Sequence, residues 1–114
     1  MLAITSHANT DFDALASMVA ASFVYPQGVR VLSSQLTPQV RDFVAVHWDL
    51  LRLKARKNID LEKISGLIVT DTSSWERLDG MQDLAKRPEL KPVVWDHHMG
   101  RGSIAAAEKH QEEV

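Results

Sequence analysis

The stretch Gly66-Leu67-Ile68-Val69-Thr70 is apolar without alternation. A strand with one wet face alternates polar and apolar residues, so a continuous run predicts a strand covered on both faces. Such strands belong to parallel sheets, and parallel neighbours need crossover segments between them. Shorter strand candidates stand at Leu2–Thr5, at Val29, Val31 and Leu32, and at Val93-Val94-Trp95. Between the first two, Leu15, Met18, Val19 and Phe23 recur at helical spacing, which predicts a helix from Asp13 to Val24, with Pro26 and Gly28 punctuating its end. Thr37-Pro38 predicts the next helix start, with the Thr37 hydroxyl as N-cap and proline at the first helical position. The face Val40, Phe43, Val44, His47 and Leu51 carries that helix toward a stop at Asn58. Ser73 and Glu76 have the spacing of a capping box, and Leu78, Met81 and Ala85 offer a following helix one face before Pro88 and Pro92. From Ser103 onward the pattern divides: Ala105 to Glu113 holds good helix formers, whereas Ser103-Ile104-Ala105 can open a strand. The alternation predicts an α/β fold, a parallel sheet of four or more strands with flanking helices.

The chain has 114 residues, the size of one domain or part of one. Its net charge of −2 offers no global field for a polyanion or a membrane surface, so an anion site must be local. It has no cysteine, which excludes disulfides, thiolate metal sites and a cysteine nucleophile. The first residues lack a charged n-region, and no apolar run nears the roughly 18 residues of a membrane span. These features predict a cytoplasmic protein with no membrane partner.

Ligands of parallel sheets collect outside the carboxyl ends of the strands. Three groups of metal-capable residues follow three strand candidates: His7, Asp11 and Asp13; then Asp71; then Asp96, His97 and His98. Taken singly, Asp11 reads as a helix cap and Asp71 as a turn residue. At three strand ends together, they predict one shared site. Imidazole and carboxylate without sulfur suit Mn²⁺, Fe²⁺, Co²⁺ or Mg²⁺ better than a structural zinc. Several carboxylates around few imidazoles can hold two ions, the usual device for phosphoryl displacement.

The run from Ser6 to Ser17 resembles the first motif of the DHH phosphoesterase superfamily, a His-x-Asn-x-Asp-x-Asp-Ala pattern carried here by His7, Asn9, Asp11, Asp13 and Ala14. Asp71 after Gly-Leu-Ile-Val-Thr resembles the second motif, and Asp96-His97-His98 the third. The resemblance implies a Rossmann-like domain that hydrolyses phosphoanhydride or phosphodiester bonds at a two-metal manganese site, with Mg²⁺ or Co²⁺ as other occupants. It implies His7 and Asp11 as ligands of one ion, Asp13 and His97 as ligands of the other, and Asp71 as the bridge. His98 would face the substrate phosphate and Asp96 would orient a histidine, both at the catalytic centre. Arg101, between Gly100 and Gly102, adds a candidate contact to an anionic substrate. The family continues to a fourth-motif Asp and a glycine-rich substrate domain, neither of which this sequence contains. The reading is therefore of residues 1–114 as the N-terminal portion of a DHH domain, with little activity alone and the other domains of a longer chain as partners. Its substrate would be a phosphate-containing small molecule or oligonucleotide. The segment from Asp11 to Ala21 also resembles the DHH portion of proteins that carry CBS domains and a poly(A)-polymerase or tRNA-nucleotidyltransferase head. That likeness implies an alternative, a non-catalytic metal-binding or regulatory module of an RNA-processing protein.

Other residues read as structural. His47 lies on an apolar helix face, Trp75 and Trp95 suit the core, and His110 suits the surface. Arg52, Lys54, Arg56 and Lys57 read as a solvated helix face, with phosphate steering as the minority reading.

Overall fold

The structure is a computed structural model and describes residues 1–96, 102–106 and the backbone of 108–110. Its strands are β1 (Leu2–Thr5), β2 (Val29–Leu32), β3 (Leu53–Ala55), β4 (Gly66–Thr70), β5 (Val93–Trp95) and β6 (Glu108–His110), with helices α1 (Phe12–Val24) and α2 (Pro38–Leu51). All pair in parallel, in the order β3-β2-β1-β4-β5-β6. This is the order of a doubly wound Rossmann-type sheet, and it confirms the predicted α/β class. The chain moves outward one way from β1 and the other way from β4, so the switch point lies between those two strands.

Two buried clusters explain the unbroken apolar run in β4. Ile68 joins Ile4, Leu32, Leu53 and the inner faces of α1 and α2 (Leu15, Met18, Val40 and Val44) on one side of the sheet. Leu67 and Val69 join Ala3, Val31 and Val94 on the other side, beneath Ile64, Leu78, Met81, Leu84 and Leu90. Alternate residues of one strand thus enter two different cores. Trp75 packs against the second cluster and Trp95 against the first, as their neighbours suggested.

Several expectations are corrected. Phe23 is 80% exposed, and α1 buries Leu15, Met18 and Ala21 instead. Thr37 occupies the N-cap of α2, but its hydroxyl makes no capping bond. Its backbone N–H reaches the Thr10 carbonyl at 3.0 Å. The helix ends at Leu51, not at Asn58. The Arg30 guanidinium donates to the Leu51 carbonyl, Arg52 takes a left-handed conformation (φ 53°), and buried Leu53 then opens β3 beside β2. The cationic run is consequently not a helix face: Lys54 lies in β3 and Arg56 in the 3₁₀ turn after it.

The crossover from β4 to β5 is no α-helix but three 3₁₀ turns, Trp75–Arg77, Gln82–Lys86 and Pro88–Leu90. Gly80 sits at φ +63° between Leu78 and Met81, which breaks the helical run. Glu76 does not close a capping box. Its own backbone N–H and the Ser103 hydroxyl engage its carboxylate and hold it below the usual range. Ser103 and its neighbours instead fasten 102–104 to this crossover: the Ser103 hydroxyl accepts from the Trp75 N–H at 2.8 Å, and the Ile104 N–H donates to the Ser73 carbonyl at 2.9 Å. A Cβ at Gly102 would lie 1.9 Å from that carbonyl oxygen, so glycine is required there.

Asp79 joins three loops at the carboxyl edge. One oxygen accepts from the Ser33 hydroxyl (3.1 Å), the Ser34 hydroxyl (2.8 Å) and the Ser34 N–H (2.8 Å). Arg56 donates to the carbonyls of Asp79 and Gly80. Partial burial opposes ionisation of Asp79, but these hydrogen bonds and the Arg56 charge outweigh it and lower its pKa. A lowered carboxylate pKa gives stability that is present above the unfolded value and lost as pH falls through the folded one. Asp79→Ala is expected to cost about 1–3 kcal/mol at neutral pH by stranding its donors. In urea titrations the gap between the parent chain and this variant should begin to narrow as pH drops below about 4, the unfolded value, and go on narrowing as it falls through the lower folded one; a gap independent of pH would contradict this role.

Candidate metal centre

The parallel register sets the site. Thr5 pairs with Val69 across β1 and β4, so His7 and Asp71, each two residues further on, emerge abreast at the switch point. His7 Nε2 lies 3.0 Å from Asp71 Oδ2, with both side chains almost fully buried. His7 Nδ1 lies 2.8 Å from the Ala8 carbonyl oxygen. A carbonyl only accepts, so that contact assigns the proton to Nδ1 and leaves Nε2 to face the carboxylate. A cation held between them would be shared by the ring nitrogen and the carboxylate.

Asp11 completes a triangle. One ligand atom from each of His7, Asp11 and Asp71 can be chosen so that all lie within 4.8 Å of one another. Asp11 is the N-cap of α1, its Oδ1 accepting the Ala14 N–H at 2.9 Å, which orients the carboxylate at the start of the helix. One imidazole and two carboxylates are a fitting donor set for a divalent cation of the Mn²⁺ or Mg²⁺ kind.

The loop that presents His7 is held on every side. The Ser6 hydroxyl donates to the Thr70 carbonyl (2.6 Å), and the Thr10 hydroxyl donates to the His7 carbonyl (2.7 Å). The Ala8 N–H donates to the Arg77 carbonyl (2.6 Å), and the Thr10 N–H to the Gln35 carbonyl (3.1 Å). Asn9 (φ 56°) and Asp71 (φ 63°) both adopt the left-handed conformation, uncommon outside glycine. Such outliers persist where surroundings over-determine them, and they cluster at functional sites.

Of the residues singled out in the sequence, the structure therefore brings together His7, Asp11 and Asp71. Asp13 sits exposed in the first turn of α1, outside that three-residue group. Asp96 is buried directly after β5, and the Asp71 N–H donates to the carbonyl of the preceding Trp95 at 2.7 Å. His97, His98 and Arg101 lie outside the described residues. Sequence reasoning missed the supporting roles of Ser6, Thr10 and the Arg77 carbonyl. Small hydroxyl residues flanking a histidine after a strand were the available signal.

No family model matches the chain. A relative from Geobacter sulfurreducens, an A-adding tRNA nucleotidyltransferase, is 34% identical over 98 residues, which is 85% of this chain and 11% of the relative. The chain thus spans only a small part of that protein's length.

Mn²⁺ is expected to raise the unfolding midpoint by relieving the repulsion between Asp11 and Asp71. At a hundredfold excess over Kd the gain is about 2.7 kcal/mol. Differential scanning fluorimetry should show that rise for the parent chain and none for Asp71→Asn. An equal rise in both would place the ion elsewhere.

Proposed function

We propose that this chain is the metal-binding portion of a DHH-type phosphoesterase, a hydrolase of phosphoanhydride or phosphodiester bonds. The observation that carries the reading is the buried His7–Asp71 contact at the switch point, closed by Asp11 at the start of α1. In this reading His7, Asp11 and Asp71 would hold the first ion, and Asp13 and His97, together with Asp71, would hold a second. Mn²⁺ is the favoured occupant, with Mg²⁺ or Co²⁺ able to replace it. When bound, such ions acidify water and stabilise charge on phosphoryl oxygens.

The chain's own residues supply the positioning. Ala8, through its carbonyl, fixes the His7 tautomer so that Nε2 points into the site. Capping by Asp11 Oδ1 leaves its second oxygen to the site and keeps the carboxylate from rotating away. Burial of His7 and Asp71 limits solvent screening, which strengthens their hold on a cation and, through it, on an anionic substrate. His98 and Arg101 are assigned to the substrate phosphate and Asp96 to orienting a histidine, a common role for a carboxylate beside a ligating imidazole. The substrate is a phosphate-containing small molecule or an oligonucleotide.

A second reading is favoured by the relative's name: the domain would be a non-catalytic metal-binding module within a larger RNA-processing protein. No described helix is long and apolar enough to cross a membrane, which suits either reading.

The experiment that separates them is a Mn²⁺-dependent hydrolysis assay. It uses a protein that carries this domain together with a substrate-binding domain, with pyrophosphate, polyphosphate, cyclic dinucleotides and short oligonucleotides as substrates. Turnover of at least one is expected, and His7→Ala or Asp71→Ala should lower kcat by about 100-fold or more, as loss of several kcal/mol of charge stabilisation implies. Tight Mn²⁺ binding with no turnover of any of them would instead support the non-catalytic module.

A further inference from the structure

Beside the metal centre, at the carboxyl ends of β2 and β3, lies a second concavity of about 260 Å³. Ser33, Ser34, Leu36, Trp48, Arg56 and Lys57 line it. It adjoins the loop that carries His7, since Leu36 pairs with Thr10 and the Gln35 carbonyl accepts the Thr10 N–H. Trp48 is half-buried against the α2 side of the core and lines the cleft. Three features distinguish this place from an ordinary surface dent.

The first is charge. Arg56 and Lys57 line the cleft, and neither forms an ion pair among the described residues. Arg56 spends its guanidinium on the carbonyls of Asp79 and Gly80, and the Asp79 carboxylate offsets part of its charge. Lys57 is exposed at the rim. The second is the aromatic wall. The third is polarity at the floor, where the Ser33 and Ser34 hydroxyls are already oriented by Asp79. Cations on an edge strand alone are explained by the need to discourage edge pairing. A cleft that joins Arg56 and Lys57 to a tryptophan is not.

We propose that this cleft docks single-stranded nucleic acid, one base resting against Trp48 and the adjoining phosphate on Lys57. A positive groove with an aromatic platform is the general device for sequence-tolerant binding of single strands. The cleft is too small for a folded partner and suited to one flat ring. Binding here needs no metal and stands independently of the chemistry proposed for His7, Asp11 and Asp71.

The test is fluorescence anisotropy with a short labelled single-stranded oligoribonucleotide, at low salt and in EDTA. The parent chain should bind, with affinity falling as salt rises. Lys57→Glu and Trp48→Leu should each weaken binding by about 5-fold or more, and Trp48→Phe should keep most of it, because a ring remains to stack. Asp71→Asn should bind as the parent does, so failure of the metal reading leaves this result untouched. Circular dichroism of Trp48→Leu confirms that the fold survives, and the exposed Lys57→Glu repeats the test without touching the core. Equal binding by the parent, Lys57→Glu and Trp48→Leu would overturn the proposal, as would no binding by the parent. Binding lost only in Asp71→Asn would also overturn it, by moving the nucleic acid to the metal centre.

Discussion

His7 and Asp71 meet because β1 and β4 are hydrogen-bonded neighbours in a fixed parallel register, and every other feature of the site is arranged around that meeting. A one-residue slip between these strands would turn each strand's side chains to the opposite core and separate the pair. The slip is blocked on both faces: Ile4 and Ile68 fill one core while Ala3, Leu67 and Val69 fill the other. The energy that holds the imidazole against the carboxylate is therefore supplied by burial of neighbouring apolar residues. Burying a carboxylate is costly by itself, and a cation bound at that point would offset the cost.

Around the pair, loops from distant parts of the chain are tied to one another rather than left to solvent. The first loop leans on Arg77 from the β4–β5 crossover and on Gln35 after β2. The crossover is tied in turn to the β2 loop through Asp79 and Ser33–Ser34, to β3 through Arg56, and to 102–104 through Ser103. Only two α-helices back this sheet within the described residues, both on one face. The 3₁₀ turns on the other face contribute fewer backbone hydrogen bonds of their own, and these side-chain ties compensate.

How far the sequence foretold this depends on the kind of information each element uses. The β4 strand and the strand-end placement of His7, Asp11 and Asp71 follow from local apolar patterning, which the structure obeys. Asp11 as N-cap was legible because capping is decided within one turn. Strand β3 was not, since Leu53-Lys54-Ala55 becomes a strand only by pairing with β2 after Arg52 turns left-handed. The 75–86 segment misled because Leu78, Met81 and Leu84 do face the core, as in a helix, while Gly80 and the competing Ser103 bond prevent helical continuation. Phe23 misled in the opposite sense, an apolar residue at helical spacing that lies outside the contact with the sheet. Asp13 and Asp11 are indistinguishable by chemistry, yet among the described residues only Asp11 joins the group whose ligand atoms lie within 4.8 Å of one another.

The most direct measurement is the position of Mn²⁺ in crystals of this chain, located by anomalous scattering at the manganese edge. The account predicts a peak within about 2.0–2.6 Å of His7 Nε2 and of carboxylate oxygens of Asp11 and Asp71. That peak should vanish in Asp71→Asn crystals prepared alike. A manganese peak remote from His7, or none at millimolar metal with the His7–Asp71 contact intact, would contradict it.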